Sequence, residues 1–555
     1  MRNLLSLFIL SICICTEIKS AVPAYAFRVH FKDKNGTLPF SDSLLFLSQK
    51  SLDRRSAQGI ALDSTDLPVV SSYITQVMTT AAAVRLHNVS KWFNQIVIIT
   101  NDSSKVNDIA ALPMVDQVKL VARYPSGIYK TSGKTSWEKE EDDLVPTPKT
   151  RGSSTYYGLA FQQIDIMGGD CMHDEGMKGG GMDIAVLDVN FRYANTCPVF
   201  DSMNLNGRVK DVRNFARTND SVYQMGVPNE HGMNVLGCMA ANMPGTYVGT
   251  APEANFYLYI TEDWLSEQPI EEDNWLSAAE RADSIGVKLI NSSVGYNTFD
   301  APHGGYAYAD MNGHTSLIVN AADMAVTKGI FVCVAQGNEG TNPWHYMITP
   351  ADGDSVYSVG SVNGSGMWGA SGYGPTFDGR IKPDGCGMGT GAELIGGSCI
   401  IGVSNGSSFS SPMVCGAVAC LWQKFPSLTT FQLRQIIRMS SSQYLNPNNT
   451  LGYGIPDFCL ASSILSGVSD VKNIEYYFTV FPNPTQGEIT IRSYDPGSAP
   501  FRIQLFDWNG RSLYQSDLCS NGQLTLSVLN NLPSGTYPMQ IYSGQQRYST
   551  TIRKQ

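Results

Sequence analysis

The sequence has few charged residues, fewer basic than acidic ones, and no long apolar run. Charged residues make up 16% of the 555, with 39 Lys and Arg against 49 Asp and Glu. The net charge of -10 repels nucleic acid and anionic membrane surfaces, so we expect no nucleic-acid partner. No stretch reaches the roughly 18 apolar residues that a membrane-spanning helix needs. The hydrophobic fraction of 43% is that of an ordinary globular protein, and the length predicts several domains.

The amino-terminal residues combine a basic start with a short apolar run. Arg2 precedes the run from Leu4 to Cys15, and the segment ends on the small residues Ser20 and Ala21. This order predicts a secretory signal peptide over residues 1–21. A lipoprotein anchor on one of the two cysteines of the run is a weaker alternative, because neither follows a Gly or an Ala.

Twelve cysteines are present, and two of them leave with the predicted signal peptide. Exported proteins form disulfides, but the sequence does not assign the pairs. Cys333, Cys415 and Cys420 lie in apolar runs, so we expect these three to be small, buried core residues.

Changes of composition divide the rest of the chain. Residues 22–125 show strand-like runs such as FRVHF and NQIVIIT between helical pieces, which predicts a small α+β domain. Residues 126–155 are charged, contain two prolines and lack periodicity, so we predict an exposed linker that proteases can cut. Residues 156–466 form the largest block. Residues 471–555 show short alternating runs broken by turn signals such as PNPTQG, which predicts a small β-sandwich.

Strand and helix signals alternate in the block 156–466. The apolar run DIAVLD predicts a buried strand, and helical patterns such as Trp275 to Ile285 precede the strand-like runs VKLIN and IFVCVA. This alternation predicts an α/β fold with a mostly parallel sheet flanked by helices. Ligands bind beyond the carboxyl ends of such strands, where Asp188, Asn291 and Asn338 fall.

His231 and Ser408 stand where nucleophilic catalysis would need them. A serine hydroxyl needs a base to take its proton, and the base needs a third group to fix its tautomer. Of seven histidines, only His231 lies in a segment of this kind, before Gly232 and a helical pattern. Ser408 starts an apolar helix with Pro412 expected in its first turn, so backbone N–H groups would face charge forming there. A structural histidine and a plain helix-capping serine are the alternative interpretations.

Four segments together resemble the subtilisin-like serine peptidases. DIAVLDVNF is similar to that family's aspartate strand, EHGMNVLG to its histidine helix, NGSSFSSPMVCG to its serine segment and FVCVAQGNEG to its oxyanion segment. The resemblance implies a catalytic triad and an oxyanion donor. LINSSVG is similar to the strand that pairs with the substrate backbone. The residues implied as catalytic are Asp188, His231, Ser408 and Asn338, and those implied as substrate-binding are Ser293, Val294, Gly295 and Gly337.

The sequence also departs from this family. Val189 and Asn190 follow the aspartate where the family has Thr-Gly, and Met233 and Met413 replace a usual Thr and His. These changes favour an alternative, a catalytically inactive secreted binding or adhesion protein on a peptidase scaffold. A lipase or esterase is a third alternative, but Ser408 lacks the Gly-x-Ser-x-Gly motif.

The flanking segments extend the resemblance. Residues 22–125 resemble the prodomains of Bacteroidetes subtilisin-like peptidases, and 471–555, with VFPNPTQGEITIR, resemble the sorting domains of the type nine secretion system. The sequence therefore predicts a serine endopeptidase, secreted or at the outer cell surface, that acts on protein or peptide substrates. Its other expected partners are its own prodomain, as an inhibitor, and the secretion machinery.

No cofactor or metal site is predicted from the sequence. Calcium often stabilises the family that the chain resembles, but no acidic cluster shows convincing ligand spacing. Cleavage specificity also stays open. The pocket wall near Gly295 looks open, whereas Tyr296 stands where a small residue is common in the family.

Overall fold

The computed structural model describes residues 22–36, 40–125, 145–146, 155–467, 478–493, 500–507, 511–519, 522–543 and 546–555. The predicted signal peptide and most of the predicted linker lie outside the described residues. No helix in the described ranges is long and apolar enough to cross a membrane.

An antiparallel sheet of four strands forms the amino-terminal domain, in the order β2-β3-β1-β4. Alternation along its strands gives it two apolar faces. Phe27 and Val29 point into a core shared with two of its helices, whereas Ala26 and Val97 pack on the opposite face beside Ile270. The elements are β1 (Ala24–Phe31), α1 (Gln49–Ala57), α2 (Ser71–Thr80), β2 (Arg85–Ser90), β3 (Gln95–Thr100), α3 (Val106–Ala110) and β4 (Val115–Tyr124).

The central block contains a parallel sheet of seven strands with helices on both faces, as the alternating pattern predicts. Its order is β14-β13-β12-β11-β6-β10-β7. The seven strands of this sheet are β6 (Asp183–Asp188), β7 (Val209–Asn214), β10 (Asn255–Ile260), β11 (Leu289–Ser292), β12 (Phe331–Ala335), β13 (Tyr357–Val362) and β14 (Gly385–Met388). The block also contains β8 (Asn242–Met243), β9 (Tyr247–Val248), β15 (Thr390–Ile395) and β16 (Ile401–Asn405), which lie outside this sheet. The short strand β5 (Val145–Pro146), in the linker, precedes them all.

Two apolar layers cover this sheet. One core includes Val186, Leu236 and Val418, and the other includes Leu187, Leu276 and Ile318. The helices of the block are α4 (Phe161–Asp165), α5 (Gly169–Asp174), α6 (Asp201–Leu205), α7 (His231–Ala240), α8 (Ile270–Ile285), α9 (Leu317–Thr327), α10 (Ser407–Lys424), α11 (Thr430–Met439) and α12 (Phe458–Gly467).

The carboxyl-terminal residues form two antiparallel sheets over one core, so a strand-rich domain follows the central block as predicted. The sheets have the orders β17-β18-β21 and β20-β19-β22-β23. Ile489 and Ile491 of the first sheet pack with Ile503 and Ile541 of the second. The strands are β17 (Phe478–Phe481), β18 (Ile489–Ser493), β19 (Phe501–Phe506), β20 (Ser512–Gln515), β21 (Gln523–Leu526), β22 (Gly535–Ser543) and β23 (Gln546–Lys554).

Four cysteines form two disulfides, which the sequence could not assign. Cys171 on α5 pairs with Cys459 on α12, and Cys197 pairs with Cys399. Both bonds join segments far apart in the chain, and so they restrict the unfolded state. The three cysteines expected in the core are buried free thiols, as predicted.

The amino-terminal domain contacts helix α8 through buried ion pairs. Arg54 of α1 donates to Asp283 Oδ1 over 2.5 Å, and Arg55 donates to Asp283 Oδ2 over 2.7 Å. Arg28 of β1 donates to Asp273 Oδ2 over 2.6 Å. Because both aspartates are almost fully buried, their charges depend on these arginines for compensation.

A histidine at the same interface is held in its neutral form. The Nε2 of His87 donates to Asn274 Oδ1 over 2.9 Å, and its Nδ1 lies 2.8 Å from Arg85 Nη2, which can only donate. The Nδ2 of Asn274 donates to Thr261 O over 3.0 Å, which fixes Oδ1 as the acceptor. Burial and the Arg85 charge lower the pKa of His87 from 6.5 to about 4.

Candidate active site

Asp188 and His231 meet at the rim of the parallel sheet. Asp188 ends β6, and His231 is the first residue of α7. Their contact is a 2.7 Å hydrogen bond from His231 Nδ1 to Asp188 Oδ1, which also accepts from Val189 N over 2.8 Å. Asp188 is fully buried and His231 is 3% exposed. A neutral ring that donates through Nδ1 has Nε2 as its proton acceptor, which is the state that a general base requires.

Gly232 lets α7 approach the end of β6. A Cβ on Gly232 would lie 2.6 Å from Asn190 O and 3.0 Å from Asp188 Cβ. The first of these contacts is too short for real carbon and oxygen atoms. The glycine after the histidine is therefore a steric requirement of the Asp188–His231 contact.

Asn190, one of the departures from the family pattern, holds the segment that leads into His231. Its Nδ2 donates to Gln224 O and Asn229 O, over 3.1 and 2.8 Å, and its Oδ1 accepts from Gln224 N over 3.1 Å. Asn229 in turn accepts from His231 N over 2.9 Å. The carboxamide thus positions the start of α7, a function that the sequence did not suggest.

Ser408 is the second residue of α10, which begins at Ser407 after the N-cap Gly406. The expectation that Pro412 lies in the first turn is wrong, because it is the sixth residue of the helix. Proline has no N–H, so Ser408 O loses its usual partner in the next turn. Ser293 Oγ supplies the replacement and donates to Ser408 O over 2.8 Å.

Ser293 belongs to a hydrogen-bond network at the end of β11. Asn291 Nδ2 donates to Ser293 Oγ over 3.1 Å, and Ser411 Oγ donates to Asn291 Oδ1 over 2.8 Å. All of these residues are nearly or fully buried. The network fixes the backbone of Ser408 against the edge of the sheet.

Asn338 lies three residues beyond β12 and faces the start of α10. Its Oδ1 accepts from Ser407 N over 2.8 Å and from Ser407 Oγ over 3.0 Å. Because a backbone N–H can only donate, these bonds identify the oxygen of the carboxamide and direct Nδ2 to the other side.

A cavity of about 280 Å³ brings the expected residues together. Asp188 is behind His231 and does not reach the lining. All the other site residues predicted from the sequence line this cavity: His231, Ser293, Val294, Gly295, Gly337, Asn338 and Ser408.

Other lining residues were not found from the sequence. They include Glu262, Glu267 and Ile348, which follow no motif and reach the cavity only through the fold. Glu339 also lines it, and although it follows Asn338 within FVCVAQGNEG, it was not selected from the sequence. No Lys or Arg is among the described residues that line it.

Glu262, Glu267 and Glu271 form an acidic cluster that sequence spacing did not reveal. Their carboxylate oxygens lie within 4.8 Å of one another and could offer ligands to a hard cation. Two of these carboxylates already accept hydrogen bonds from other groups of the protein. Tyr296 OH donates to Glu262 over 2.6 Å, and Asp263 N donates to Glu271 over 2.6 Å. The pKa of Tyr296 is raised well above 10, mainly by burial and to a smaller extent by the negative charges of these three carboxylates. We assign no metal to this cluster.

Comparison with protein families gives three matches along the chain. Residues 179–454 match the subtilase family, residues 26–138 the peptidase S8 propeptide domain of Bacteroidota, and residues 479–555 a secretion system C-terminal sorting domain. The three matches follow the predicted order of prodomain, peptidase and sorting domain. The sorting domain indicates secretion or attachment at the outer surface.

Bacterial subtilisins are among the relatives of this chain. Subtilisin NAT of Bacillus subtilis subsp. natto is 26% identical over 423 residues, which cover 76% of this chain and 96% of that protein. Subtilisin of Bacillus pumilus is 28% identical over 288 residues, which cover 51% of this chain and 92% of that protein.

A solved structure shares the fold. It is fervidolysin from Fervidobacterium pennivorans, described as a keratinolytic enzyme related to subtilisin, with a TM-score of 0.50 and 17% identity over 93% of this chain and 70% of that one. The three family matches and the related subtilisins show that the chain belongs to the subtilase family and is a serine endopeptidase, secreted or attached at the outer surface, with a propeptide and a sorting domain.

Proposed function

We propose that the protein hydrolyses peptide bonds through an acyl-enzyme on Ser408. His231 Nε2 takes the proton of Ser408 Oγ as this oxygen attacks the scissile carbonyl, and it then gives the proton to the leaving amine. A water molecule, deprotonated by the same nitrogen, releases the acyl group. The supporting observation is the 2.7 Å bond from His231 to Asp188 beside a cavity that Ser408 also lines.

Asp188 orients the ring and stabilises the imidazolium that forms during attack. Its complete burial strengthens this interaction, because little solvent screens the two charges. Val189 N donates a hydrogen bond to the same oxygen, Asp188 Oδ1, and so holds the carboxylate in place.

Asn338 Nδ2 and the backbone N–H of Ser408 are the proposed donors to the oxyanion. The bonds from Ser407 hold the Asn338 carboxamide before substrate arrives, so no reorganisation is needed in the transition state. The amino terminus of α10 adds a favourable dipole. The backbone of Ser293 to Gly295 and that of Gly337 would bind the substrate chain on either side of the carbonyl.

Peptide hydrolysis by Ser408→Ala tests this mechanism, with Ser410→Ala on the same helix as the matched control. We expect Ser408→Ala to lose hydrolysis and labelling by a fluorophosphonate, and the control to keep both. Undiminished turnover by Ser408→Ala would contradict the mechanism. A wild-type protein that does not react with the label would instead support the alternative of an inactive binding protein.

We further propose that residues 22–125 are a prodomain that inhibits residues 156–466 until the linker 126–155 is cut, and that 471–555 direct export. The buried ion pairs between Arg54, Arg55 and Asp283 support a tight complex before cutting. Amino-terminal sequencing of secreted wild type and Ser408→Ala tests self-cleavage. The mutant should accumulate uncut precursor, and identical processing of both proteins would refute an autocatalytic cut.

A further inference from the structure

The side chain of Ile348 lies between Gly295 and Gly337, which form two opposite walls of the cavity. A Cβ on Gly295 would lie 3.0 Å from Ile348 Cδ1 and Cγ1. A Cβ on Gly337 would lie 3.0 Å from Ile348 Cγ1 and 3.3 Å from Cδ1. The same two carbon atoms therefore contact both walls. The pocket wall near Gly295, which looked open from the sequence, is covered by this side chain.

Backbone hydrogen bonds hold Ile348 between the walls. Its N–H donates to Gln336 O, next to Gly337, over 3.3 Å. On the other side, Tyr296 N donates to Thr349 O over 2.8 Å, and Thr349 N donates to Tyr296 O over 3.2 Å. Ile348 is 8% exposed, and its β-branched side chain has few rotamers. The backbone bonds fix its α-carbon between the walls, and the restricted rotamers and close packing against Gly295 and Gly337 keep its side chain there.

Glu339 narrows the same space from the Gly337 side. Its carboxylate lies against the α-carbon of Gly337, and the residue is 4% exposed. A side chain entering beside Ser408 would therefore meet Ile348 at the floor and Glu339 at one wall. Little depth remains between them.

From this geometry we infer that Ile348 closes the primary pocket, so that the enzyme cleaves after small, uncharged residues such as Ala or Ser. The inference rests on the proposed function, because it takes Ser408 as the attacking group. A Leu, Phe or Lys at this position would require Ile348 to move before the scissile carbonyl could reach Ser408. One misplaced methylene in such a pocket changes kcat/KM by about 10- to 200-fold. We therefore expect at least a hundredfold preference for Ala over Phe.

The test uses secreted, processed enzyme and peptides that differ only in the residue before the scissile bond: Ala, Ser, Leu, Phe or Lys. Wild type should prefer Ala and Ser. Ile348→Ala should raise the Phe-to-Ala ratio of kcat/KM at least tenfold, and Ile348→Val should raise the Leu-to-Ala ratio by less. Ile330→Ala, a matched change of a buried isoleucine away from the cavity, should leave both ratios at the wild-type value.

Two results would overturn the inference: wild type that cleaves after Phe, Leu or Lys as fast as after Ala, or an unchanged ratio in both Ile348 variants. If Ile348→Ala does not fold, the valine variant alone decides. Failure of the proposed function looks different. In that case wild type hydrolyses none of the peptides and Ser408 takes no fluorophosphonate label, which removes the basis of this inference as well.

Discussion

The complex between the amino-terminal domain and the peptidase should weaken in mild acid because of His87. In the complex this ring is buried and must be neutral, since Nε2 donates to Asn274 while Nδ1 faces the guanidinium of Arg85. A proton on Nδ1 would bring two donors into contact. The separated domain exposes His87 to water, so its pKa rises toward the ordinary value of about 6.5, with Arg85 of the same strand still beside it.

The direction in which pH changes the binding follows from the direction of the pKa shift of His87. The pKa of His87 is lowered to about 4 in the complex, so between pH 6.5 and 4 the free domain holds a proton that the complex excludes. Binding is therefore tightest above pH 7 and weakens as the pH falls through 6.5. Linkage with these two values gives at most about thirtyfold weaker binding at pH 5 than at pH 8, or about 2 kcal/mol, the full effect requiring the ordinary pKa in the free domain.

The assay is the dissociation constant between residues 22–125 and residues 156–466 carrying Ser408→Ala, measured from pH 5 to 8. His87→Gln is the matched variant, because glutamine can donate and accept at the same places without titrating. Burial raises the pKa values of Asp273 and Glu280 at this interface, but both variants share that contribution. The difference between the two pH profiles isolates His87. Parallel profiles for the histidine and glutamine proteins would refute the reasoning.

Two further changes test the interface and the site. Asp283→Asn removes the carboxylate that pairs with buried Arg54 and one of the two that pair with Arg55, which keeps Asp66. It should weaken binding of the amino-terminal domain by roughly 3–5 kcal/mol, whereas Asp211→Asn, in a more exposed pair, should not change it. Gly232→Ala places a carbon against the carbonyl of Asn190 and should lower kcat about a hundredfold, because misplacement by 1 Å costs about that much. Gly237→Ala, where the added carbon lies 3.1 Å from Ile395 Cγ1 and no closer than 3.9 Å to a backbone atom of another element, should keep most of the activity. Circular dichroism would establish that both glycine variants fold, and equal activity of the two would contradict the steric argument.

Local sequence patterns were sufficient to predict the class of fold and the order of its parts. Apolar runs gave the strands, and the helical pattern from Trp275 to Ile285 gave most of α8. In the structure this helix begins earlier, at Ile270, so that Glu271, Glu272 and Asp273 lie in its first turn, where they are buried. Three successive acidic residues look exposed in a sequence. They are buried here because the amino-terminal domain and the adjacent loops supply partners such as Arg28 and Tyr306.

The residues proposed for catalysis could also be selected from the sequence, because each has a local context: Asp188 ends an apolar strand, His231 precedes a glycine, and Ser408 starts a helix. Their roles stay predictions until the variants are measured. The effect of Pro412 could not be foreseen, since the partner of the freed carbonyl is Ser293, which is 115 residues away.

What the sequence alone determined is therefore the set of chemical groups and the elements that carry them, because strand, helix and turn preferences act over a few neighbouring residues. Tertiary structure decided the shape and charge of the cavity. Ile348 lies between two glycines that follow separate strands, β11 and β12, and Glu262, Glu267 and Glu271 converge without any regular spacing. Such contacts depend on how the whole sheet and its loops pack, and no local pattern records that packing.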